Sequence, residues 1–171
     1  MSKRVFHATN YTPTAQADTT ALTNATYQAL KAGNSTLLQV IEIWISGLAS
    51  VTSPTLMQWA RASTLETTPT ALASPNSDGF MNPLSSALST TSTAFVAAST
   101  GPQRSATTTD PKLDLNINAW GGIARWQSSP TEEWWIHGAS TTAAPAGESI
   151  LSAFTGGTVG NVSSHIVYEP M

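Results

Sequence analysis

The fold that this sequence predicts is all-β, an antiparallel β-sandwich of the jelly-roll kind, and three observations carry the expectation. Only 10% of its residues are charged, against about 25% in an ordinary soluble domain, with Ser and Thr filling the polar positions instead. The Lys and Glu that helix surfaces favour are therefore scarce, while the abundant Thr, Val, Ile and Trp suit a pleated sheet. Short apolar runs are separated throughout by Gly, Pro, Asn and Ser, with no alternation of strand and helix signals. The length of 171 residues is enough for one domain with a full core. Residues 1–171 read as a single sandwich domain with one long loop or arm at 63–89.

Element by element, residues 4–9 alternate moderately and predict a first strand, and residues 19–23 an edge strand. After the turn signal Gly33-Asn34, residues 37–46 predict a central strand. Strict alternation puts Leu37, Ile41, Ile43 and Ile45 on one face and Leu38, Val40 and Trp44 on the other. Gly47 ends it, and after Ser53-Pro54 residues 55–62 predict a strand that returns as a hairpin or across to a second sheet. Residues 63–89 are rich in Thr, Pro, Ser and Asn. A loop this long is uncommon inside a compact domain and is often functional, so Phe80, Met81 and Leu84 within it are candidate partner-binding residues. Residues 93–98 predict a strand. Lys112-Leu113-Asp114-Leu115-Asn116-Ile117-Asn118 is the clearest half-buried one, with Leu113, Leu115 and Ile117 inward. Strands follow at 123–127, 132–137, 148–154 and 162–168.

Composition also limits function. A net charge of −3 and scattered basic residues leave no patch to track phosphates, so nucleic acid is not expected as a direct ligand. Sparse charge repels other copies weakly, which favours homo-oligomers. There is no cysteine, which removes disulfides, thiolate metal sites and thiol nucleophiles. No signal peptide is expected at the N-terminus, and the longest apolar stretch is too short to span a bilayer.

Nothing predicts an enzyme. His7, His137 and His165 fall on three different strands with no metal-ligand spacing, and Glu132 and Glu133, as strand neighbours, point to opposite faces. No nucleophile elbow or phosphate loop is present. No catalytic, metal or cofactor site is therefore expected. The six tryptophans are the unusual feature. Trp44 and Trp59 read as core. Trp120, Trp126, Trp134 and Trp135 cannot all point inward, because adjacent Trp134 and Trp135 occupy opposite faces, so this pair joins the candidate partner-binding residues. Outward Trp suits an oligomer interface or a sugar-stacking platform, which makes a carbohydrate-binding module the alternative from another class.

Four segments carry a resemblance to a known group: Val5-Phe6-His7-Ala8, the central strand over 38–46, Pro145-Ala146-Gly147-Glu148-Ser149-Ile150, and the closing Ser164-His165-Ile166-Val167-Tyr168-Glu169-Pro170. Together they resemble small jelly-roll virion proteins of tailed bacteriophages. In these proteins an early strand, a Pro-Ala-Gly turn into a penultimate strand and a final apolar strand recur in that order. The resemblance implies a capsid decoration or cement protein, often a homotrimer, bound to the major capsid protein and found in the virion after synthesis in the host cytoplasm. A neck, tail or fibre-base component is the neighbouring expectation. Residues 63–89 have no counterpart in that pattern.

Overall fold

The computed structural model describes residues 5–10, 26–33, 36–62, 70–71, 92–96, 111–138, 150–156 and 162–171. Every regular element among them is a strand: β1 (Phe6–Asn10), β2 (Thr26–Ala32), β3 (Leu37–Gly47), β4 (Pro54–Ala62), β5 (Thr70–Ala71), β6 (Ser92–Val96), β7 (Pro111–Asn118), β8 (Ile123–Gln127), β9 (Trp134–His137), β10 (Ile150–Gly156) and β11 (Val162–Pro170). They form two antiparallel sheets. The first has the order β1-β11-β3-β8, with β9 also paired to β3, and the second the order β5-β6-β2-β10-β4-β7.

The pairing is nested. β1 pairs with β11, β2 with β10, β3 with β8 and β9, and β4 with β7. Each step inward from the two ends of the chain crosses to the other sheet, so the β3–β4 connection is a cross-sheet return and not a hairpin. The core lies between the sheets. Phe6, Ala8, Leu38, Val40, Ile43, Ile45, Trp134, Ile136, Val162, Ile166 and Tyr168 fill it from the first sheet, and Leu30, Met57, Trp59 and Ile117 from the second. Buried Gln28 ties the layers together: its amide donates to the Ala8 carbonyl at 3.2 Å, and its oxygen accepts from the Ser164 hydroxyl. A polar group in this position is tolerable because both ends of the amide are satisfied.

Strand β3 departs from strict alternation, and the reason is a bulge. Val167 pairs with Glu42 but Tyr168 with Val40, which leaves Ile41 as an extra residue. An added residue reverses which side chains face inward beyond it. Leu38 and Val40 are buried before the bulge and Ile43 and Ile45 after it, so residues expected on opposite faces all reach the core. Trp44, expected in the core, is turned outward and is 41% exposed. Ile41 is half-buried. On the other edge β9 pairs with residues 37–40 and β8 with residues 42–46. At the junction between them the Ser128 amide donates to the Ile41 carbonyl at 2.8 Å, so the bulge leaves that carbonyl satisfied.

Other expectations fare variously. β7 matches its alternation: Ile117 is buried, and Leu113 and Leu115 pack against the core, while Asp114, Asn116 and Asn118 are exposed. Trp59 is in the core as expected. β2 was not anticipated. The 132–137 strand starts only at Trp134, with Glu132 and Glu133 in the preceding turn. The possible edge strand at 19–23 lies outside the described residues. Of residues 63–89 only Thr70 and Ala71 are described, as strand β5 beside β6.

The bulge makes a direct energetic prediction. Ile43→Ala removes a fully buried side chain and should cost about 2–5 kcal/mol in urea unfolding. Neighbouring Trp44→Ala loses only cross-strand contacts on an open face and should cost about 1 kcal/mol or less. A larger loss at Trp44 than at Ile43 would show that the facing is reversed.

Candidate functional site

The anticipated partner-binding residues are placed unequally. Trp134 is buried, and its ring meets Trp126 edge-on at 5.9 Å between centroids. Its Nε1 finds no hydrogen-bond partner among the described residues. Trp135 takes the opposite side of β9, half-buried, with its indole N–H donated to the Glu133 carboxylate at 3.1 Å. The pair thus divides between core and outer face, as strand alternation requires. Phe80, Met81 and Leu84 lie outside the described residues.

Away from the core, the first sheet presents a row of paired residues. Thr9 pairs with His165, His165 with Trp44, and Trp44 with Arg125. The Thr9 hydroxyl and His165 Nδ1 share a hydrogen bond at 2.7 Å. The His165 ring stacks on His7, its diagonal neighbour, at 5.4 Å. The Arg125 guanidinium lies 4.8 Å from the centroid of the Trp44 ring, a cation–π distance. The same Arg125 is ion-paired with Glu42, and Ser46 and Ser163 join their hydroxyls at 2.6 Å. Each side chain in this row is occupied by its neighbour across the strands. Among the described residues no three His, Asp or Glu gather closely enough to hold a metal ion.

One end of the sandwich is different. Among the described residues six large apolar ones are exposed, and five of them fall at this end: Trp44, Leu48 (51%), Val51 (68%), Trp120 (64%) and Ile123 (73%). They come from the end of β3, the loop over 48–53, the turn over 119–122 and the first residue of β8. The sixth, Met171, donates its amide to the Leu37 carbonyl at the opposite end of β3.

Loop and turn are locked into each other. Backbone amides of Gly47, Ala49 and Ala119 donate to the carbonyls of Gly122, Ala119 and Ser53 at 2.7, 2.9 and 2.8 Å, and Gly122 closes on Asn118 at 2.8 Å. The Asn118 carboxamide oxygen accepts from the Ser53 amide at 3.2 Å and from the Trp120 amide at 3.0 Å. A Cβ at Gly47 would run into the Ala119 carbonyl and one at Gly122 into that of Asn118, so two glycines permit the close approach. Gly121 completes the turn at a φ of 76°, which glycine adopts without steric cost.

From Trp44 to Pro54 and from Asn118 to Ala124 there is no charged residue. Among the described residues these two segments are therefore apolar, uncharged and held by backbone hydrogen bonds. This arrangement suits contact with another surface. Trp120 was among the tryptophans that could not all be internal. The signal locating it was the Gly121-Gly122 turn that follows it, which keeps it off a strand.

No protein-family model matches this sequence, and no curated protein matches it significantly.

The histidine stack predicts a pH dependence. Burial lowers the pKa of His165 below its ordinary 6.5, and the neighbouring His7 pushes it the same way. The folded chain then takes up this proton less readily than the unfolded chain. Stability is full above the ordinary value and is lost as pH falls through it towards the lowered one. The thermal midpoint should drop between about pH 7.5 and about pH 5.5, and His165→Gln should reduce that drop. An equal drop in both proteins would remove His165 as its source.

Proposed function

We propose that this chain is a structural protein of a phage particle, a capsid decoration or cement subunit that binds the shell and stabilises it by contact alone. The observation that carries the reading is the nested pairing. With β8 and β9 counted as one interrupted strand, the frame β1, β2, β3, β4, β7, β8/β9, β10, β11 has eight members. First, eighth, third and sixth share one sheet, and second, seventh, fourth and fifth the other. That order supports the jelly-roll reading of the sandwich, with β5 and β6 extending the second sheet beyond β2. It supports the fold of the virion proteins that the sequence resembles. The exposed apolar end supports a role in protein contact.

In this reading the working form is a homotrimer located in the virion, and the major capsid protein is its partner. Its attachment rests on apolar and hydrogen-bonded surface, since there is no cysteine to cross-link and few charges to pair. The segment with Phe80, Met81 and Leu84 is the proposed anchor. Three copies of a modest contact hold firmly, because the second and third bind at high effective concentration once the first is docked. A neck, tail or fibre-base position would use the same surfaces.

A carbohydrate-binding reading draws on a different feature, the well-exposed ring of Trp120, since an indole face stacks on the apolar face of a pyranose. Glycan-array binding that disappears in Trp120→Ala would favour it.

The decoration reading is tested by deleting residues 78–84, checking the fold by circular dichroism, and measuring retention on particles and their resistance to heat. The deleted protein should be lost from particles, and those particles should inactivate at lower temperature. Wild-type binding should change little from low to moderate salt, because little of it is Coulombic. Unchanged retention would exclude the segment as anchor, and failure of the intact protein to associate with particles would exclude the decoration role.

A further inference from the structure

We infer that the apolar end built from Leu48, Val51, Trp120 and Ile123, with Trp44 beside it, is a self-association surface whose occupant is the same end of a second copy of this chain. The inference stands on the exposed end itself and does not depend on the particle reading.

Three properties point to this occupant. The first is charge. No charged residue lies between Trp44 and Pro54 or between Asn118 and Ala124, and Arg125, the next residue along the chain, is already engaged with Glu42 and the Trp44 ring. A charged partner surface would lose hydration here without gaining a counter-charge. An identical end meets it with no charge repulsion and no unpaired charge, and it is present at equal concentration.

The second is area. The five exposures amount to roughly 600 Å² of apolar surface, at the top of the range for a monomer's largest patch. Two such faces together bury roughly 1,200 Å², the lower edge for a specific interface, so association is weak and depends on concentration. The third is rigidity. The backbone hydrogen bonds between loop and turn and the Asn118 clamp hold the contact residues before association, which reduces the ordering cost of binding. The contact is one patch meeting its own copies about a rotation axis through this end, so the assembly closes and does not grow into fibres.

The absence of cysteine makes the test clean. Val51→Cys places a single thiol in the patch. His137→Cys places one beside Leu37, ten residues away along β3 from Gly47, a distance of about 33 Å. With a short bis-maleimide, Val51→Cys should give cross-linked oligomers and His137→Cys should not. Equal yields, or no product from Val51→Cys, would overturn the assignment.

Sedimentation velocity of the cysteine-free protein provides the second arm. Its average mass should rise between about 10 µM and about 1 mM, and Val51→Ser with Trp120→Ser should weaken association at least about tenfold while circular dichroism stays unchanged. A wild-type protein that stays monomeric over this range would overturn the assignment. So would a double variant that associates as strongly as wild type. If the wild type is monomeric and the double variant is lost from particles, the occupant is a shell protein and not a second copy.

Discussion

The extra residue in β3 is the constraint on which the rest of this structure depends. β3 is paired along both edges of the first sheet, with β11 on one side and β9 then β8 on the other. Without the bulge, alternation would bury either Leu38 and Val40 or Ile43 and Ile45, and the sheet would leave half of its best apolar strand in water. The bulge at Ile41 brings all four inside. It also marks where β8 gives way to β9, so one irregularity settles both the core and the edge.

The surface features follow from that change of phase. Once Ile43 and Ile45 point inward, Glu42, Trp44 and Ser46 must point outward, where they meet Arg125, His165 and Ser163. The outer face is thus composed of cross-strand pairs, and Trp44 becomes part of the exposed end. Beyond Gly47 the chain crosses to the second sheet, and the 48–53 loop is held against the 119–122 turn by backbone hydrogen bonds and the Asn118 carboxamide. Those bonds leave the side chains of Leu48, Val51 and Trp120 with no internal task. Apolar side chains on a rigid, uncharged frame have most to gain from a second surface.

Much of the strand layout was legible in the sequence. β7 reads plainly because its two faces differ in polarity, and the opposed placement of Trp134 and Trp135 follows from strand geometry alone. β2 was missed because Gln28, Ala29 and Leu30 are consecutive and all buried. A strand covered on both faces shows no alternation, and its Gln, Ala, Leu and Lys are helix formers by intrinsic preference. Trp44 was misplaced because alternation carries no mark of a bulge, which becomes visible only once the partner strand is aligned. The exposed end was legible in part: surplus Trp and low charge implied a contact surface. Its location arises from two segments about seventy residues apart, brought together only by the cross-sheet return.

Deleting Ile41 and measuring stability by denaturant unfolding tests most directly whether this bulge organises the molecule. Removing the bulge turns one of the two apolar pairs of β3 out of the core, so the account predicts a loss of at least about 3 kcal/mol or no folding at all. A deletion variant that unfolds cooperatively at the wild-type midpoint would contradict it.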